Sequence, residues 1–177
     1  MIILGIHDGH DSSAALSVDG KIVYASQEER FTNLKGEYGF PKNSVNDCLK
    51  TTGISLQDID EVALASRFTN PVLMRIKRNA QFAVSDWVRE QELYWKPKIF
   101  KNRNISYWKL FKNNKKYKKD NFYNYNSILK TYMSKKELSL FHKRRVEGIS
   151  KILKIGKDKI RTYLHEDCHK YYSYYFF

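Results

Sequence analysis

No stretch of about 18 consecutive apolar residues occurs in this 177-residue chain, so no transmembrane helix and no membrane partner are expected. The first residues enter a strand-like run directly. No basic region precedes an apolar segment with a cleavage site, so no secretory signal is expected. Only two cysteines occur, Cys48 and Cys168, far apart and inside apparent helices. That excludes a disulfide framework and suits a reducing, cytoplasmic setting. No internal repeat is found. Acid is scarce beside base: 19 Asp and Glu against 32 Lys and Arg give a net charge of +13. The excess base falls mostly between Lys96 and Lys159. A basic half suits nucleic acid, an anionic surface or an anionic substrate, and a lysine- and asparagine-rich coding bias gives the same total.

What is present argues for a folded domain. Hydrophobic residues make up 42% and aromatic ones 15%, which excludes global disorder, and the length suits one domain with a real core. The first 28 residues set the plan. An apolar run at 2–6 leads into the polar turn His7-Asp8-Gly9-His10-Asp11-Ser12-Ser13. A second apolar run follows, then Asp19-Gly20, a strong hairpin signal, then a third run to Gln27. Such a strand–loop–strand can hold backbone N–H groups and the small residues Asp8, Gly9, Ser12 and Ser13 against a phosphate. An ordinary hairpin with a hydrophilic loop has the same pattern.

Residues 28–41 are charged and glycine-bearing and read as a loop, with Pro41 suited to the first turn of a helix. Val45, Cys48 and Leu49 recur at helical spacing and Gly53 stops that helix. Residues 61–66 read as a buried strand. Residues 1–66 thus run three strands, helix, strand, an α/β layer. Residues 67–156 read as a mostly helical, basic insertion. Pro71 is expected to open a helix to about Trp95, with Leu73, Ile76, Ala80, Val84, Trp87, Val88, Gln91 and Tyr94 on its packed face. The run 96–126 interleaves lysines with Tyr107, Trp108, Phe111 and Tyr117, a mixture that suits single-stranded nucleic acid or a solvated insertion. Ser134-Lys135-Lys136-Glu137 is a capping box ahead of a helix that turns Leu138, Phe141, Val146, Ile149 and Leu153 inward. Residues 157–177 read as a strand followed by a helix.

That last helix begins His165-Glu166-Asp167-Cys168-His169. His165 and His169 fall on one helical face a turn apart, where two imidazoles can share a metal ion or simply cap and face solvent. A metal site needs a carboxylate from elsewhere. His10 is a candidate general base, because imidazole titrates near neutrality, or a histidine that only fixes its turn. Lys35 precedes a helix N-terminus in a glycine-bearing loop and can neutralise a phosphate, or is one more solvated lysine.

The string from Gly5 to Ala15 resembles the N-terminal signature of the O-carbamoyltransferases, the family of nodulation and antibiotic carbamoyltransferases. Gln27-Glu28-Glu29-Arg30-Phe31-Thr32, Lys35 and Gly39-Phe40-Pro41 follow in that family's order. Residues 75–79, 88–91 and 94–95 are similar to one branch, and 165–177 resembles its histidine motif. Glu166 stands where the family has a second histidine, and Lys170 where it has a small residue.

The resemblance implies an actin-like ATPase (ribonuclease-H-like) N-terminal lobe. It implies carbamoyl transfer from carbamoyl phosphate, through a carbamoyl-adenylate made with ATP, to a hydroxyl of a sugar or small-molecule acceptor. It implies a divalent metal on His165 and His169, iron foremost, with zinc or magnesium as alternatives. It places His10 at the acceptor or carbamoyl site, where it can act as base, and Lys35 at the anionic intermediate. The family's second lobe and adenylate-forming domain are not in this sequence, so the chain is expected to be a truncated piece, inactive until a C-terminal half or partner chain completes it. The competing expectation is a basic, non-catalytic nucleic-acid-binding module.

Overall fold

The computed structural model describes residues 1–65, 83–106, 110–111 and 135–176. The expected helix start at Pro71, the stretch 75–79, most of the basic run beyond Ser106 and the cap at Ser134 lie outside those residues. The described elements are β1 (Ile2–His7), β2 (Ser13–Val18), β3 (Lys21–Gln27), α1 (Glu29–Thr32), α2 (Lys42–Thr52) and β4 (Glu61–Leu64). Then come α3 (Val84–Glu90), a π-helical turn (Gln91–Trp95), α4 (Lys96–Phe100), α5 (Lys135–Leu153), β5 (Ile160–Thr162) and α6 (His165–Phe176). The protein is thus a mixed α/β structure on one sheet. Among the described residues no helix is long and apolar enough to cross a membrane.

The sheet order is β3-β2-β1-β4-β5. Strands β1 to β3 are an antiparallel meander, and its last turn follows directly from sequence. Asp19 and Gly20 take φ of 49° and 81°, the paired left-handed geometry that matches the twist of two adjoining strands. Strands β4 and β5 run parallel to β1, so their carboxyl ends share one edge with the β1–β2 loop.

Alternation sorts the side chains of the sheet. Leu4, Ile6, Leu16, Val62 and Leu64 point to one face and are buried beneath Val45 and Cys48 of α2 and Phe141, Ile149 and Leu153 of α5. Burial beside Asp47 pushes the Cys48 thiol up to about 11, so it behaves as a small apolar group. The opposite face carries Ala25, Ala15, Gly5 and Ala63 in one row across four strands. Over those small residues opens a cleft of about 750 Å³, bounded at one side by Cys168 and Tyr171 of α6.

Helix α2 has no cap of its own, since its N-cap position is Pro41. Glu28 supplies one from a distance. Its carboxylate accepts from the backbone N–H of Asn43 (3.0 Å) and of Ser44 (2.8 Å), from Asn43 Nδ2 (2.8 Å) and from Ser44 Oγ (3.0 Å). Four donors and the positive end of the helix dipole hold this carboxylate at 5% exposure.

Helix α3 corrects an expectation. Val84, Trp87 and Val88, assigned to the packed face, are exposed, whereas Asp86 and Glu90 are buried. The reason is electrostatic. Asp86 accepts the Ala83 N–H at 3.0 Å, which satisfies one orphan donor of the first turn, and Glu90 lies close enough to Tyr38 to help raise its phenol. Arg89 stacks over the buried Phe111 ring, its guanidinium 5.9 Å from the centroid. Polar partners on the inner side win over the apolar stripe.

One ion pair fastens α5 to the end of β1. Arg145 Nε donates to Asp8 Oδ2 at 2.9 Å, its Nη2 donates to Asp8 Oδ1, and Nη2 also reaches the Ala65 carbonyl at 3.3 Å. Both side chains are fully buried. Removing one partner of such a pair leaves an uncompensated buried charge. Arg145→Met is therefore expected to cost about 3–5 kcal/mol in urea unfolding, and Asp8→Leu with Arg145→Met to recover most of that loss. A single substitution as mild as a surface change would show that the pair does not hold the fold.

Candidate functional site

The carboxyl ends of β1, β4 and β5 carry the residues with chemistry. Ligand crevices of α/β sheets lie beyond such strand ends. Here the β1–β2 loop leaves one strand and the N-terminus of α6 follows another.

The β1–β2 loop is held by the segment after α1. Ser12 N–H donates to the Glu37 carbonyl at 2.9 Å, Gly39 N–H to the Asp8 carbonyl at 3.1 Å, and His10 forms an isolated antiparallel bridge with Tyr38. The segment that reads as an irregular loop is thus laid alongside the polar turn as a short strand-like partner. Glu28 N–H donates to the Ser12 carbonyl at 2.8 Å and closes the other side.

These constraints decide where each candidate goes. Asp8 is fully buried with both carboxylate oxygens on Arg145, so it holds the loop from within. Gly9 is packed against the His7 ring: a Cβ there would sit 2.9 Å from His7 Cε1. Ser12 Oγ is buried with no hydrogen-bond partner among the described residues, while Ser13 begins β2 on the cleft side. His10 projects outward, its side chain 63% exposed, with Nδ1 2.5 Å from Asp11 Oδ2 and its ring edge-on to Tyr38, 5.2 Å between centroids. Lys35 extends into solvent and pairs with Glu29 at 3.3 Å. Glu29 also accepts the Gly36 N–H at 3.2 Å, and these two bonds hold its carboxyl below the usual range. Lys35 and His10 therefore share one loop surface, since Gly36 lies against His10 Nε2.

His165 and His169 sit in the first turns of α6. Their Nε2 atoms are 3.0 Å apart and their rings are edge-on, 4.5 Å between centroids. Two nitrogens at that spacing match adjacent ligands on one ion with metal–nitrogen bonds of about 2.0–2.1 Å. Among the described residues no group of three His, Cys, Asp or Glu side chains is placed to hold an ion. The donor set therefore fits two ligands of a metal site and leaves the other positions to groups outside this pair.

A third histidine joins the site that sequence reasoning treated only as part of the turn. His7 ends β1 on the cleft side, and its Nε2–H donates to the His10 carbonyl at 2.8 Å. Burial pushes its imidazole below the ordinary value; Arg145 and His165 add to that, while Asp8 and the bond to His10 oppose it. Glu28 is the other residue that was missed. Its signal was negative: a helix start at Lys42 with no capping side chain beside it.

The chain matches the family described as carbamoyltransferase N-terminus over residues 2–177. It is 36% identical over 69 residues to the nodulation protein NolNO of Sinorhizobium fredii, covering 38% of this chain and 10% of that protein. It is 53% identical over 53 residues to the uncharacterised protein sll1178 of Synechocystis sp., covering 30% of this chain and 9% of that one. It is 37% identical over 81 residues to the uncharacterised protein MJ1051 of Methanocaldococcus jannaschii, covering 46% and 15%. The aligned stretches therefore span a small part of the length of these relatives.

The depressed His7 imidazole gives stability a pH dependence of known sign. Its folded pKa lies below the unfolded value, so its contribution is complete above about pH 6.5 and is lost as pH falls through the folded pKa. Urea unfolding between about pH 7 and pH 5 should show stability falling in the native chain. The fall should be shallower in His7→Gln, which keeps a donor for the His10 carbonyl. Equal slopes would remove His7 as the cause.

Proposed function

The chain belongs to the carbamoyltransferase N-terminal family, and from that premise we propose that it forms the acceptor and metal side of an O-carbamoyltransferase. In this reading the sheet is the N-terminal lobe of an actin-like ATPase fold. Three antiparallel strands followed by two parallel ones support that assignment. The observation that carries the functional reading is the pair of imidazole nitrogens 3.0 Å apart at the start of α6, on the same sheet edge as His10.

The reaction is transfer of a carbamoyl group, delivered from carbamoyl phosphate as a carbamoyl-adenylate made with ATP, to a hydroxyl of a sugar or small-molecule acceptor. The acceptor oxygen bonds to the carbamoyl carbon, the bond to the adenylate oxygen breaks, and AMP leaves. His10 takes the hydroxyl proton on Nε2, the nitrogen turned away from Asp11. Lys35 on the same loop offers positive charge to the anionic leaving group. Ser13 and the backbone of the β1–β2 turn orient the carbamoyl donor. His165 and His169 would hold a divalent ion, iron or alternatively zinc or magnesium, which when bound would supply positive charge to phosphate oxygens. Two imidazoles leave that ion unfinished, so the remaining donors come from groups outside this pair. The basic stretch from Lys96 onward lies largely outside the described residues and gives the nucleic-acid reading no specific support.

The metal arm is testable on this chain. Calorimetric titration with Zn²⁺ or, anaerobically, Fe²⁺ should show one site, and His165→Ala or His169→Ala should each weaken it at least about tenfold. Affinity indifferent to both substitutions would sink the assignment. The chemical arm requires the full-length natural protein with carbamoyl phosphate, ATP and hydroxylated acceptors. The product is a carbamoylated acceptor formed together with AMP.

A further inference from the structure

Backbone strain in the β1–β2 turn falls on one residue that has no assigned part in the chemistry. Asp11 takes φ of 57°, the left-handed region that an L-residue enters at a cost and that Asp and Asn tolerate best. A turn needing only this backbone shape is best served by glycine, which adopts it freely, as Gly36 does nearby at 67°. The side chain present instead puts Oδ2 2.5 Å from Nδ1 of the preceding His10. Observed strain at such a point is grounds for a functional inference.

We propose that Asp11 is a positioning residue for His10: its carboxylate holds the imidazole proton on Nδ1 and leaves the Nε2 lone pair free toward the loop surface. The inference rests on the reading of His10 as the base, and specifies how that base is prepared. Three contacts fix the rest of the geometry. The His10 carbonyl is tied by His7 Nε2–H at 2.8 Å, its backbone is bridged to Tyr38, and its ring stands edge-on to the Tyr38 phenol. Beside Nε2 lies Gly36, where even a Cβ would come to 3.3 Å, so the acceptor side of the ring is kept open by the absence of a side chain. The charged and titratable groups around the ring are Asp11 behind it, and Tyr38 at its edge, where burial, Asp11 and Glu90 all keep the phenol protonated. The nearby ammonium of Lys35 is engaged by Glu29. A carboxylate–imidazole arrangement of this kind fixes the tautomer and stabilises the imidazolium formed when the base takes its proton.

The test reads the tautomer directly. The ¹⁵N resonances of His10 are recorded on this chain at about pH 8, where an ordinary imidazole is neutral. In the native chain Nδ1 should carry the proton. Asp11→Asn tolerates the left-handed turn and Asp11→Gly adopts it freely, so both remove the carboxylate and spare the backbone. Each should shift the tautomer ratio toward Nε2–H by about fivefold, the scale of a partly exposed charged pair. A His10 tautomer unchanged in both variants overturns the proposal. The base itself is judged separately, by His10→Gln in the full-length protein. Transfer surviving that substitution overturns the base reading and leaves the tautomer result standing.

Discussion

The buried pair between Asp8 and Arg145 is the constraint on which the rest of the architecture depends. It joins residues 137 positions apart and ties the end of the central strand to α5. A carboxylate and a guanidinium out of water are costly, and the cost is offset only by close, two-pronged geometry. Once Asp8 is fixed, the turn after β1 has a fixed origin. The Asp8 carbonyl can then receive Gly39 N–H, and the segment through Glu37 and Tyr38 is laid against the turn. The outward course of His10 follows from that anchoring.

Electrostatics also explain which polar groups face inward. Glu28, Asp86 and Arg145 are all nearly inaccessible, and each is met by a named partner: a helix N-terminus, an orphan amide, a carboxylate. His7 is half-buried, which disfavours its cation, while its Nε2–H donates to the His10 carbonyl. The groups left accessible are of another kind. His10 and Lys35 lie on one loop surface, and the His165–His169 pair lies on an exposed helix. The sheet edge thus divides into an inner set of charges that shapes the loops and an outer set exposed to solvent.

Much of the meander was legible beforehand, because its signals are local. Asp19-Gly20 specifies its turn through two left-handed residues, and alternation alone assigns Leu4, Ile6 and Leu16 to one face. The helical pattern of α5 correctly turns Phe141, Ile149 and Leu153 inward. The pattern failed on α3, where Val84 and Val88 suggest a packed face and Asp86 and Glu90 occupy it. Hydrophobic periodicity assumes that the inner side is apolar, and there it is polar. Asp8 shows the same limit in the candidate site. Nothing near it in sequence reveals that an arginine far along the chain takes both its oxygens.

Sequence by itself determined the local geometry and the chemical repertoire: the hairpin, the two-sided strands, the spacing that puts His165 and His169 on one helical face, and the family to which the motifs belong. Each depends on residues within a few positions of one another, where backbone sterics and helical pitch act directly. Which polar residues are buried and paired and which face solvent follows only from the fold. Glu28 became a helix cap, Asp8 an anchor, and His7 a half-buried neighbour of the β1–β2 turn, while His10 was left exposed. Those outcomes rest on desolvation and charge pairing between distant segments, which take effect only when the sheet brings the segments together.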